Sequence, residues 1–257
     1  MDDNNEYRDK GKKVFLLRPH SVIHEEMLDT LIMEGYETYT ILDSERARKI
    51  LAKFPNSIMF INIDEGRSEA EWEAYIKKIQ EDPATKNARL GILSYNQDKE
   101  LMRKYLMEIM VPCGYVQLKL GLRESTNIIL NALEANEARG RRQFIRAECG
   151  DDINATLNYQ GDHGMYHGKI LNISYVGIAA TMKKFDFLPP YSVIPDVQIK
   201  VRGGLILTDM IHRMIRQNNL DTQQVLFFDP KMPEENKIVI YRYIKMRLQR
   251  YIDELKV

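Results

Sequence analysis

Near Gly140 the hydrophobic pattern of this chain changes period, and that change constrains the fold more than any other feature. Up to Ala138, short apolar runs alternate with stretches in which apolar residues recur every three or four positions. Beyond Gly140, apolar and polar residues mostly take turns. The first pattern is that of strands buried on both faces and joined by amphipathic helices. The second is that of antiparallel strands with one wet face. A break of this kind marks a domain boundary, and 257 residues are comfortable for two domains.

The strand runs of the first part are Val14 to Leu17, Thr38 to Ile41, Ile58 to Ile63, Leu90 to Leu93 and Tyr115 to Leu118. Helical spacing lies between them. It passes through Met27, Leu28, Leu31 and Ile32, with Gly35 as C-cap, and resumes from Asp43 or Ser44 through Ala47, Ile50 and Leu51. Further helices carry Trp72, Tyr75, Ile76 and Ile79, then Leu101 to Met110, then Ser125 to Ala138. Met102, Met107 and Met110 recur at helical spacing and are expected to fill a core or an interface. Such alternation builds a doubly wound parallel sheet of the flavodoxin or receiver type.

The order resembles the response-regulator receiver. That resemblance implies carboxylates after the first strand to hold Mg²⁺, an Asp ending the third strand, Ser or Thr ending the fourth and Lys ending the fifth. Here the first strand runs into Arg18-Pro19-His20. Asp64 stands in the phosphoacceptor place unless the strand ends at Asn62; Ser94 and Lys119 match the other two positions, with no proline after Lys119. Without the acidic pair, Mg²⁺ has no anchor against its strong hydration. Phosphoryl transfer then loses most of its electrostatic support. This half is expected to be a pseudo-receiver, a platform that binds protein or dimerises.

In the second part, Phe144 to Cys149, Ile153 to Tyr159, Tyr166 to Asn172, Val176 to Met182, Val193 to Val201, Leu205 to Arg216 and Gln224 to Phe228 alternate as strands. Asp151-Asp152 reads as a turn and Gln160 to Gly164 as a hairpin loop. Six or seven such strands suit a small antiparallel barrel or sandwich. After Pro230 and Pro233, an apolar stripe through Ile238, Tyr241, Ile244, Leu248 and Tyr251 or Ile252 makes a terminal amphipathic helix.

Two boxes in this part carry the chemistry. Arg142 and Arg146 stand four apart, with Arg141 doubling the first; after one hairpin come Asn172, Ser174 and Gly177 as Asn-x-Ser-x-x-Gly. Each box alone is an ordinary basic linker or turn. In this order they resemble the ligand signature of the PilZ domain, the bacterial receptor for cyclic di-GMP, and the resemblance covers about residues 141–252. It implies a six- or seven-stranded antiparallel β-barrel with a terminal helix. It further implies that Arg142 and Arg146 grip phosphate and guanine, that Arg141 adds charge, and that Asn172 and Ser174 read a guanine edge while Gly177 shapes the turn. The chemistry agrees. An arginine fork is always charged and bonds bidentately to phosphate or to guanine O6 and N7. Asn172 and Ser174 are two apart, so on a strand they share a face.

The organisation expected is a polar leader over 1–12, a receiver-like domain over 13–138, a linker over 139–146 carrying the arginines, and a PilZ-type domain over 141–257. Residues 1–140 hold 20 Lys and Arg against 24 Asp and Glu, and residues 141–257 hold 17 against 13, so the positive half is the one with the proposed anionic ligand. Net charge is zero overall, which argues against a nucleic-acid polymer as partner. Cys113 and Cys149 have no metal-like spacing and read as reduced thiols of a cytoplasmic protein. No run approaches a membrane span, and the leader lacks the apolar core of a signal peptide. His20 with His24, and His163 with His167, lack the further ligands a metal needs. Acids such as Asp186 and Asp196 have no evident catalytic partner, so no enzymatic activity and no cofactor are expected. The expected assemblies are cyclic di-GMP with an unidentified protein partner, in motility or surface behaviour, and a homodimer. The contrasting expectation is a ligand-independent scaffold built from the same two domains.

Overall fold

A computed structural model describes residues 11–183, 188–217 and 222–257. Most of the expected leader and Asp186 lie outside the described residues. The chain divides into two compact units, one running to Ile145 and taking in Ile252–Val257, the other comprising Arg146–Tyr251.

The first unit is built on a five-stranded sheet: β1 (Val14–Leu17), β2 (Thr38–Ile41), β3 (Ile58–Asn62), β4 (Arg89–Ser94) and β5 (Tyr115–Gln117). All pairings are parallel and the order is β2-β1-β3-β4-β5. Every residue of β1 and β3 is buried, which is why β1 and Ile58–Ile61 of β3 are unbroken apolar runs, with Asn62 a buried amide at the end of β3. Helices α1 (Ser21–Met33), α2 (Ser44–Lys53), α3 (Glu69–Glu81), α4 (Lys99–Arg103) and α5 (Leu122–Ala135) alternate with the strands. Their ends are chemically marked. Asp43 accepts from the Arg46 N–H at 2.6 Å, and Ser68 with Glu71 forms a reciprocal capping box on α3. Gly35, at φ +87°, ends α1 while the Tyr36 N–H reaches back to the Leu31 carbonyl at 3.0 Å. This is the receiver-like architecture.

The fourth helix departs from expectation. After α4 the backbone widens into a π-helical turn over Lys104–Glu108. The wider turn directs Leu101, Tyr105 and Ile109 inward, leaving Met107 and Met110 71% and 68% exposed, so these two methionines are not core. The last helix also begins and ends earlier than Ser125 to Ala138, because Gly121 opens it and Glu137 takes φ +50° beyond its end.

The second unit is a closed antiparallel barrel with a terminal helix. Its strands are β6 (Arg146–Glu148), β7 (Thr156–Gly161), β8 (Gly164–Ser174), β9 (Gly177–Met182), β10 (Val193–Val201), β11 (Gly204–Gln217) and β12 (Thr222–Phe228). Six of them close in the order β8-β7-β10-β11-β12-β9, with β9 returning to β8, and β6 pairs with the part of β8 that β7 leaves. Closure removes the exposed edges that a sandwich would have to protect. The strand expected over Phe144 to Cys149 shrinks to Arg146–Glu148. The next begins only at Thr156, because Asp152 folds the preceding residues into a turn, accepting from the Asn154 N–H at 2.9 Å and the Ala155 N–H at 3.2 Å.

Helix α6 (Glu234–Asp253) buries Ile240, Tyr243, Ile244, Arg247 and Leu248. Ile244, Leu248 and Ile252 are buried as the expected stripe has them, but its first half is rotated: Ile240 and Tyr243 are buried in place of Ile238, 44% exposed, and of Tyr241. The anchor that sets this rotation is polar. The Tyr243 hydroxyl donates to the buried Asp152 carboxylate at 2.8 Å. Burial and this carboxylate both push the phenol's pKa upward. Tyr243→Phe should therefore leave a buried carboxylate one donor short and lower stability by about 1–3 kcal/mol. Chemical denaturation monitored by circular dichroism checks this, and an unchanged midpoint would contradict it.

Candidate functional site

A β-bulge creates the site. The pairing of β8 with β9 slips between Ile170 and Asn172, which makes Leu171 the extra residue. Ile170 and Ile173, three apart, are consequently both buried in the barrel, while Asn172 and Ser174 come out on its outer face. Without the bulge, Asn172 would follow Ile170 inward.

Strand β6 then lies antiparallel to β8 with Arg146 opposite Ser174 and Glu148 opposite Asn172. Residues directly opposed share a face. The second arginine of the first box and the two polar residues of the second box thus come from distant sequence to one line. Arg146 is exposed, Asn172 half-buried and Ser174 buried. The Ser174 hydroxyl donates to the Gly177 carbonyl at 3.1 Å, closing the turn at Tyr175-Val176. Only its lone pairs remain for an outside donor.

Gly177 is required by close approach, not by its dihedral. A Cβ there would stand 2.3 Å from the Leu226 carbonyl oxygen and 2.9 Å from the Phe227 ring. Arg141 is exposed and Arg142 half-buried, and no described strand pairing includes either of them.

Two residues that sequence reasoning missed support this line. Glu148 adds a carboxylate beside Asn172; its position two residues after Arg146 on one strand was the available signal. Arg247 of α6 donates through Nε to the Glu148 carbonyl at 3.0 Å and pairs with Asp151, whose carboxyl it holds below the usual range. Arginine inside a helical apolar stripe gave no signal before the partners were known.

In the first unit, β3 ends at Asn62, so a neutral buried amide closes that strand. Its Nδ2 donates to the Arg18 carbonyl at 2.8 Å and its Oδ1 accepts from the Asp64 N–H at 3.1 Å. Asp64 lies beyond the strand, its carboxylate accepting from the Ser94 hydroxyl and, at 2.7 Å, from the Tyr95 N–H. Arg18, at φ +50°, packs its guanidinium against Gly66, so a cation occupies the exit of β1. Lys119 is exposed in the 3₁₀ turn Leu118–Leu120 past β5. A cation stands where the receiver resemblance implies the acids that hold Mg²⁺, and an amide ends the strand where it implies an Asp. Incubation with acetyl phosphate and Mg²⁺ should therefore leave the intact mass unchanged. A stoichiometric phosphate adduct, lost in Asp64→Asn, would contradict this.

His163 lies in the turn between β7 and β8 and not on the strand of His167, whose Nδ1 meets Asn158 Oδ1 at 2.7 Å. Among the described residues, no group of three or more His, Cys, Asp or Glu is arranged to hold a metal. Burial pushes the Cys113 and Cys149 thiols up to about 12 and about 11. No described helix is long and apolar enough to cross a membrane.

No family model matches the chain, and no curated protein matches it. Among solved structures, it is similar to the PilZ domain with c-di-GMP of YcgR from Escherichia coli: 11% identity over 45% of this chain and 99% of that one, with a TM-score of 0.38. It is also similar to the Bacillus subtilis inhibitor of motility (MotI/DgrA), at 17% identity over 45% of this chain and 53% of that one, with a TM-score of 0.35. A third likeness is to the signal receiver domain of an HD domain-containing protein from Pseudomonas fluorescens Pf-5: 16% identity, 49% and 90% coverage, and a TM-score of 0.41.

Proposed function

We propose that this chain is a non-enzymatic receptor for cyclic di-GMP. The observation that carries the reading is the pairing of Arg146 with Ser174 beside the outward-facing Asn172. An always-charged fork, an amide and a hydroxyl oxygen on one barrel face suit a ligand with two phosphodiesters and two guanines. Arg142 is the second fork and Arg141 adds charge.

The arginine box spans the point where the chain passes from one unit to the other, between Ile145 and Arg146. A ligand that engages Arg142 as well as Arg146 would order this passage and alter the arrangement of the domains. Such a switch needs a ligand with different contacts in the two states, and the arginine box supplies them. The receptor acts in the cytoplasm and passes its state to a protein partner in motility or surface behaviour, with the pseudo-receiver as the docking or dimerising platform.

Thermal melting with cyclic di-GMP, cyclic di-AMP or GTP tests this reading. Ligand at a hundredfold over Kd adds about 2.7 kcal/mol to the folded state. Cyclic di-GMP alone should raise the melting temperature. Equal, absent or reversed effects would favour the ligand-independent scaffold.

A further inference from the structure

Resting on the receptor reading, we infer that Phe227 and Arg213 form a further part of the ligand surface, a stacking platform that takes the flat face of a guanine beside Gly177. The strand register continues the line of the two boxes. Gly177 lies opposite Phe227 on β12, Phe227 opposite Ile211 on β11, and Ile211 opposite Val193 on β10. Leu226 and Phe228 point into the barrel and are buried, whereas Phe227 points outward and is 39% exposed. A single outward aromatic is common on a protein surface, so the account of this one rests on its register with the second box.

The glycine of the second box supplies that account. A Cβ at Gly177 would stand 2.9 Å from the Phe227 ring, so the bare backbone is what lets the ring lie there. Next to the ring stands a cation. The β11 pairing slips between His212 and Met214, and the extra residue, Arg213, comes out on the same face. Its guanidinium lies 5.9 Å from the Phe227 ring centroid and 4.6 Å from that of Tyr191. It is thus stacked on rings, a geometry that keeps its fork flat and oriented.

A purine has a π-face for an aromatic platform and acceptors at O6 and N7 for an arginine fork. A phosphodiester would also satisfy that fork. The register thus continues the line of Arg146, Ser174 and Gly177 to a ring, and the bulge beside it brings a further cation to that ring.

The test is calorimetric titration of the full chain with cyclic di-GMP, comparing wild type with Phe227→Leu, Phe227→Tyr, Arg213→Ala and Arg146→Ala. Phe227→Leu and Arg213→Ala should each raise Kd by about tenfold. Phe227→Tyr, which keeps the ring, should bind like wild type. Ligand-free melting of each variant separates lost binding from lost folding, and Arg213→Ala removes only a partly exposed side chain should Phe227→Leu fold poorly. Wild-type Kd in both Phe227→Leu and Arg213→Ala, with binding lost in Arg146→Ala, would overturn this inference and leave the receptor reading standing. Absence of binding by the wild type would overturn both.

Discussion

Replacing Arg146 with Ala should weaken cyclic di-GMP binding between about thirtyfold and several-thousandfold. The residue opens β6 directly opposite Ser174, so its fork projects from the face that carries Asn172. Truncating a charge-assisted contact to a desolvated anion costs about 2–5 kcal/mol, which sets that range. Arg142→Ala should lose a comparable factor, because a cyclic dinucleotide presents two anionic groups. Asn172→Ala should lose less, since it removes a neutral hydrogen bond of about 0.5–1.5 kcal/mol. Titration of the variants against wild type checks the order. Equal affinity for Arg146→Ala and wild type would remove Arg146 from the site.

Gly177→Ala is expected to lower the stability of the barrel by about 1–3 kcal/mol. The new methyl would meet the Leu226 carbonyl oxygen at 2.3 Å, and backbone cannot yield as a flexible side chain can. The obstruction lies between β9 and β12, where Gly177 opposes Phe227, so relief requires separating two strands that help close the barrel. For a domain of about this size, each kcal/mol lowers the melting temperature by roughly 4–8 °C. Calorimetric melting checks this, and an unchanged transition would show that β9 and β12 are more compliant than their spacing implies. The consequence for function is specific: a glycine assigned to the turn acts through the neighbouring strand.

Where local pattern and tertiary environment agree, the sequence was easily read. Val14–Leu17, Thr38–Ile41 and Val193–Val201 have the ends expected of them, because burial on both faces, or alternation as from Val197 to Val201, leaves little freedom. Asp43 and Gly35 announced their helix ends through cap chemistry that is local by nature. The misses arise where a distant partner decides. Ile238 and Tyr241 fit a helical stripe as well as Ile240 and Tyr243 do; the bond from Tyr243 to Asp152, ninety-one residues away, fixes the rotation. Met107 and Met110 have helical spacing, but a π-helical turn changes the angle between successive side chains. The ambiguity between Asn62 and Asp64 turns on where β3 stops pairing with β4.

The candidate site divides in the same way. Its two boxes were legible as residue types at fixed spacing, but their line on the barrel was not. That line depends on a bulge at Leu171, which has no distinctive side chain, and on the register of a three-residue strand. Glu148, Arg247, Phe227 and Arg213 enter only through that register or through helix packing.

Isothermal titration of the intact chain with cyclic di-GMP tests the central claim most directly. The account predicts saturable binding within tens of micromolar ligand, lost in Arg146→Ala. A flat titration of folded wild-type protein over that range would contradict it.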